Sequence, residues 1–176
     1  MSSTRAVLVV LGGLPGTGKT TVANEFVRAS GAAYLRIDTI EQTVVEHTAL
    51  EQPLGPVGYE IGYALAAEQL GAGTPVVVAE CVNPLQITRD AWRDAASAAG
   101  AALVEVEIVC SDAVEHRRRV EQRTVDVPGL RLPTWADVQR REYEPWDQEH
   151  LVLDTAHLDA AGCARAVEER VAHAAG

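Results

Sequence analysis

Residues 13–20 read Gly13-Leu14-Pro15-Gly16-Thr17-Gly18-Lys19-Thr20 and fit GxxxxGK(S/T), the spacing of a loop that wraps the β- and γ-phosphates of a nucleoside triphosphate. The glycines let successive backbone N–H groups turn inward on phosphate oxygens where a side chain would block the approach. Lys19 adds a point charge, and the hydroxyl of Thr20 stands where a Mg²⁺ bridging the two phosphates would sit. The helix that begins there aims the positive end of its dipole at the anion. The nucleotide-binding expectation therefore covers Gly13, Pro15, Gly16, Thr17, Gly18, Lys19, Thr20 and Thr21.

Beyond that loop, the residues able to act on a phosphoryl group are scattered. Tyr34-Leu35-Arg36-Ile37 ends in Asp38, whose carboxylate has two roles open to it. It can cap the helix that starts there, or it can face the γ-phosphate and take the proton of an acceptor hydroxyl during transfer. Val76-Val77-Val78-Ala79 ends in Glu80, either a solvent-facing strand end or the holder of a metal-bound water or polar substrate group. Asn83, just before Pro84, reads as a turn or cap residue. Asp112, with Glu115 three residues on, opens a helix in a variant of the capping box. That helix carries His116, Arg117, Arg118, Arg119 and Arg123, and in a chain of formal net charge −10 such a cluster needs a partner. Arg119 and Arg123, four apart, share a face. Arginine suits both stacking on an adenine ring and forking onto phosphoryl oxygens; solvated pairing with Glu115, Glu121 and Glu144 is the alternative.

Short apolar runs alternate with helical patterns and set the frame for these residues. Strands are predicted at 5–12, 33–37, 75–80, 102–109 and 150–153, with helices at 19–29, 39–47, 57–70, 85–99, 112–123, 135–143 and 159–174. Strands that alternate with helices imply an α/β fold, a parallel sheet covered on both faces, and the ligand then lies beyond the carboxyl ends of the strands. Thr124–Pro133, rich in turn residues, reads as a movable cover that ends where Thr134 caps the next helix. With 176 residues the expectation is one domain, 1–176, with an acceptor-side segment at 39–72 and a lid at 124–134. The first apolar run is too short to span a bilayer and has no signal-peptide pattern, so a cytoplasmic location without membrane contact is expected. Cys81, Cys110 and Cys163 are odd in number and lack CxxC spacing, which reads as buried apolar positions. The histidines show no ligand spacing, and Trp92, Trp135 and Trp146 read as core or lid-hinge aromatics.

Gly13 to Thr20, Asp38 after the second strand, and Arg119-Val-x-x-Arg123 ahead of a lid-like loop resemble the nucleoside-monophosphate-kinase-like group of P-loop phosphotransferases. The chain is most similar there to small ATP-binding proteins labelled AAA-type ATPases or predicted kinases, related to chloramphenicol phosphotransferase and zeta toxins. The resemblance covers nearly the whole chain. It implies a three-layer P-loop fold with a five-stranded parallel sheet in the order 2-3-1-4-5, and ATP and Mg²⁺ as cofactors. By the same resemblance Lys19, Asp38 and Arg123 are catalytic, Asp38 as base or hydroxyl orienter and Arg123 on the transferring phosphoryl group, with Arg119 and Thr155 near the adenine. Two departures stand out: strand three ends in Glu80 where Asp is often expected, and segment 39–72 lacks the arginine that binds a nucleoside monophosphate in adenylate kinases.

The acceptor is therefore read from the residues alone. Between Arg36 and Arg89 there is no lysine or arginine, which argues against a strongly anionic acceptor and favours a neutral or cationic alcohol. Glu80, Tyr59, Tyr63 and Arg131 are the candidate acceptor residues, although Tyr59 and Tyr63, at helical spacing, fit core packing at least as well. The leading expectation is transfer of the γ-phosphoryl group of Mg-ATP to a small hydroxyl compound. A polynucleotide or nucleoside-end kinase is the first alternative, which the acidic charge disfavours. A nucleotide-binding regulatory ATPase without acceptor phosphorylation is the second.

Overall fold

The computed structural model describes residues 4–176. In chain order its elements are β1 (Val7–Gly12), α1 (Lys19–Ser30), β2 (Ala33–Arg36), α2 (Ile37–His47), α3 (Val57–Gly71), β3 (Val76–Glu80), α4 (Gln86–Ala98), β4 (Ala102–Val109), α5 (Ala113–Glu121), α6 (Trp135–Arg140), β5 (Leu151–Asp154) and α7 (Ala160–Ala175). The five strands form one parallel sheet in the order β2-β3-β1-β4-β5. None of the helices in the described residues is long and apolar enough to cross a membrane.

The period of two along β1 divides the core. Val7, Val9 and Leu11 point to one face, where Val22, Ala23 and Phe26 of α1 meet Cys163, Ala164 and Val167 of α7. Leu8 and Val10 point to the other, where they join Ile37 of α2, Ala66 and Leu70 of α3, and Trp92 and Ala96 of α4. A strand buried on both faces reads as an unbroken apolar run, which is why 6–11 carries no polar residue. All three cysteines are buried and unpaired.

Register then sets the chemistry. Arg36 of β2 and Leu11 of β1 both lie level with Glu80 of β3, so the carboxyl ends of three strands finish side by side. The residues just beyond them face one another across a common mouth.

Most predicted boundaries move by one or two residues, and three of the shifts bear on the site. α2 follows β2 without a break, so the strand stops at Arg36 rather than Ile37. α5 ends at Glu121, and α6 at Arg140 rather than residue 143. The segment after α6 is taken out of helix because it is pinned from below by Arg89. This arginine, 0% exposed, donates to the carbonyls of Asn83 (3.3 Å) and Pro84 (3.0 Å) on one side and of Glu144 (2.6 Å) and Pro145 (2.8 Å) on the other. Its guanidinium carbon lies 4.6 Å from the centre of the Trp146 ring. Trp146 in turn covers Gly12, where an added Cβ would sit 3.0 Å from the indole. A buried cation met by four carbonyl dipoles thus ties the stretch after α6 to the segment after β3 and, through Trp146, to Gly12 at the end of β1.

Candidate active site

The loop between β1 and α1 holds its shape through two close approaches. Gly13 has φ 142° and leaves no room for a Cβ, which would lie 2.2 Å from the carbonyl oxygen of Ile108. Gly16, at φ 82°, would place one 2.5 Å from Val120 of α5. From the same helix, His116 is buried and its Nε2 lies 2.8 Å from the carbonyl of Pro15, with Trp135 edge-on against the imidazole at 5.1 Å. His116 therefore leaves the solvated basic face to which its neighbours belong: it braces the loop.

Lys19 is 8% exposed, and its Nζ donates to the carbonyl of Leu14 at 2.9 Å. Burial pushes its ammonium below the usual lysine range, while Glu80 and Asp38 pull it back up. Thr20 Oγ1 donates to Glu80 Oε1 at 2.6 Å, and Tyr34 Oη donates to the other oxygen of the same carboxylate. Glu80 is 4% exposed, which removes the solvent-facing reading. A threonine hydroxyl and a carboxylate oxygen in contact at the mouth of a phosphate loop are hard oxygen donors, the set Mg²⁺ takes when substrate phosphates supply further ligands. Among the described residues no group of three or more His, Cys, Asp or Glu side chains could hold a metal by itself.

Asp38 occupies the second position of α2. The N-cap is Arg36, without a side-chain cap bond, so the capping role weighed for Asp38 does not apply. Its carboxylate lines the cleft, 3.9 Å from the Arg36 guanidinium. Arg36 also reaches Glu80 at 3.8 Å and forms a two-pronged pair with Asp126 of the lid, at 2.8 and 3.2 Å. Arg123 lies 3.5 Å from the same Asp126. Sequence reading passed over Arg36 and Asp126; an arginine closing an otherwise apolar strand was the available signal.

The basic helix divides by face. Arg117 pairs with Glu121 at 2.8 Å and Arg118 with Glu115 at 2.7 Å, solvated pairs of the kind weighed as the alternative. Glu144 takes no part and instead accepts from the backbone N–H of Gln86. Asp112 caps α5 by accepting from the N–H groups of Val114 and Glu115, but Glu115 turns to Arg118 and Arg119, so the reciprocal half of the capping box is missing. Arg119 is held at both ends. Its Nε donates to Glu115 at 2.7 Å, and its terminal nitrogens donate to the hydroxyl (2.8 Å) and carbonyl (3.1 Å) of Thr155. Thr155 Oγ1 donates on to the carbonyl of Thr17, so Arg119, Thr155 and the phosphate loop form one connected edge.

The cleft measures about 1240 Å³; Arg119 and Arg123 line it, whereas Thr155 stands behind the phosphate loop, against Gly18 and Thr17, and does not. The phosphate loop with Thr21 lines one side of the cleft, α2 with Asp38, Glu41 and Gln42 another, and segment 124–133 with Arg131 a third, joined by Arg141. Tyr59 lines it too, with its hydroxyl accepting from the N–H of Asn83 at 3.0 Å. Tyr63, expected as a second acceptor residue, is displaced from it: its ring packs edge-on to Trp92 at 4.5 Å and its hydroxyl donates to Thr88. Helical spacing put the two tyrosines on adjoining turns, but the buried indole draws the second one inward. Asn83, read as a turn or cap residue, lies in an irregular segment with the left-handed φ of 53° and is fully buried.

The fold has many relatives. A candidate kinase of Chloroflexus aurantiacus superposes with a TM-score of 0.76 at 18% identity, covering 97% of this chain and 98% of the other. The APS kinase of Mycobacterium tuberculosis, solved with AMPPNP and APS, gives 0.71 at 20% identity over 97% and 99% of the two chains. A gluconokinase of Sinorhizobium meliloti gives 0.63 at 22% identity over 98% and 95%. No curated protein matches the chain in sequence. The family model of the AAA domain matches residues 8–145, from the first strand through the lid to the segment that Arg89 pins. The chain belongs to the AAA domain family and is built on the P-loop kinase fold.

Proposed function

We propose that this protein is an ATP-dependent phosphotransferase that moves the γ-phosphoryl group of Mg-ATP to a hydroxyl of a small acceptor. The observation that carries this reading is the Thr20–Glu80 contact at the mouth of the phosphate loop, opposite Asp38 in a cleft that runs on under the lid. A switch protein needs the nucleotide half of such a site; the half lined by α2, Tyr59 and Arg131 needs a second substrate to account for it.

In this reading Lys19 exchanges the Leu14 carbonyl for β- and γ-phosphate oxygens, and the backbone N–H groups of 13–20 cradle the chain of phosphates. Thr20 and Glu80 hold Mg²⁺, which when bound neutralises charge on the phosphates. Asp38 orients the acceptor hydroxyl and takes its proton as the acceptor oxygen bonds to the γ-phosphorus and the bond to the ADP oxygen breaks. Arg123, freed from its 3.5 Å contact with Asp126, meets the charge that develops on the phosphoryl oxygens. Arg119 and Thr155 form the adenine side.

The test is acceptor-dependent release of ADP from Mg-ATP across a panel of alcohols, amino sugars and nucleosides. Lys19→Ala should lower turnover by about a hundredfold or more with the fold intact. Near-normal turnover in a well-folded variant would remove the assignment.

A further inference from the structure

Resting on the phosphotransferase reading, the walls of the cleft also speak to what the acceptor is. Glu41 stands one turn beyond Asp38 on the same face of α2, and both line the cleft. The carboxylate of Glu41 is pressed in by Gly58 of α3, where an added Cβ would lie 2.3 Å from its Cγ. No lysine, arginine or histidine among the described residues lies within salt-bridge distance of it, although nearly every other cleft carboxylate has a cation at hand: Glu25 has Arg28, Asp38, Glu80 and Asp126 share Arg36, and Asp137 has Arg140. Burial, followed by the charge of Asp38, holds its carboxyl above the usual glutamate range, and only the amide of Gln52 and the more distant Arg141 oppose this. Tyr59 closes the same corner and feels the charge of Glu41.

We propose that Glu41 reads the acceptor, and that the acceptor is an alcohol bearing an ammonium group. The hydroxyl lies at Asp38 and the ammonium between the Glu41 carboxylate and the Tyr59 ring. A cation there supplies the partner that the protein does not, and an aromatic face beside a carboxylate receives an ammonium on both sides. The spacing fits as well, because side chains three apart on a helix stand about 5–6 Å apart at their Cβ atoms, the reach of an amino group a few bonds from a hydroxyl. The remaining charges on this side are Glu51 and Asp137, of the favourable sign, and Arg131 and Arg141 on the lid side, which set the limit on how far a dication could extend.

The experiment compares matched probes: glucosamine and kanamycin, with glucose, N-acetylglucosamine and gluconate as neutral and anionic counterparts. ADP release with Mg-ATP and calorimetric binding in the presence of AMPPNP are both measured. The amines should be preferred in both readouts. Glu41→Gln should erase that preference by about tenfold to a hundredfold, acting on the amine probes while AMPPNP binding is kept. Glu41→Arg should turn the preference toward gluconate. Equal or better binding of the neutral or anionic probes by the wild-type protein, or an amine preference that survives Glu41→Gln, overturns the proposal. AMPPNP binding that is absent, or that Lys19→Ala leaves unchanged, would instead strike the phosphotransferase reading beneath it.

Discussion

At the scale of single residues, the proposed reaction divides the site into groups that hold ground-state substrate and groups that act as charge moves. Asp38 makes no cap bond, so replacing it with Asn removes a proton acceptor without disturbing the start of α2. Asp38→Asn should therefore lower kcat by about a hundredfold to ten-thousandfold while ATP affinity changes little; an unchanged kcat would leave Asp38 with only its contact to Arg36. The arginines should part company in the same way. Arg119 is fixed by Glu115 and Thr155 at the nucleotide edge, whereas Arg123 has one long contact to Asp126 and is free to turn. Arg119→Ala should mainly raise the KM for ATP, and Arg123→Ala should mainly lower kcat, because only the second interaction strengthens as charge builds. Steady-state kinetics of both variants reads the difference, and matching wild-type constants would return Arg119 to an ordinary helix surface and Arg123, just past the end of α5, to an ordinary loop charge. The places of Lys19 and Thr20 on the loop and of Arg119 on a helix face were legible from their spacing, since both are local patterns. The unpaired state of Glu41 was not, because it depends on which cations the fold carries elsewhere.

At the scale of elements, segment 124–134, proposed as a lid, is fastened to the wall of the cleft. Asp126 bridges Arg36 at the end of β2 and Arg123 at the end of the α5 region, and Gly129 sits so close to α2 that a Cβ would meet Gln42 Nε2 at 2.5 Å. Asp126 is exposed while Arg36 is largely buried, so salt screens the pair from one side, and its contribution lies in where segment 124–134 rests more than in global stability. Asp126→Asn should speed amide exchange and proteolysis within 124–134 and raise the KM for ATP, with little change in the unfolding midpoint. An equally protected lid in the variant would show that packing on α2 suffices to hold it. That 124–133 leaves helix was visible in the sequence from its Pro and Gly content between two helical patterns, and α6 from the Thr134 cap, which the structure completes with Asp137. The latch of that segment was not visible: Arg36 and Asp126 lie ninety positions apart and meet only because β2 and the loop after α5 end at the same rim of the sheet.

At the scale of the whole molecule, charge governs the response to acid. Hydrogen bonds hold several carboxyls below their ordinary values: Asp126 by Arg36, Asp137 by Thr134, Asp154 by Ser111, and Glu115, down to about 2, by Arg118 and then Arg119. A group whose folded value is depressed contributes stability that is present above its unfolded value and lost as pH falls through the folded one. Glu41 and Glu105, raised by burial from 4.5, act in the opposite sense, costing stability at neutral pH and regaining it on protonation. The urea midpoint should therefore hold or rise slightly as pH falls to about 4, the ordinary carboxyl range, while Glu41 and Glu105 take up protons, and fall below it; a midpoint that rises between pH 4 and pH 2.5 would contradict this balance. The sequence by itself determined the phosphate loop, the alternation of strands and helices, and so the parallel sheet, because these rest on contiguous spacing and on period. Its resemblance to known kinases added the strand order. Only the tertiary structure decided that Glu80 is buried on Thr20, that Tyr63 belongs to the core while Tyr59 faces the cleft, and that Arg89 clamps the segment after α6. Each of these depends on strand register and on which distant backbone carbonyls or rings share one volume, and a linear pattern carries no record of that.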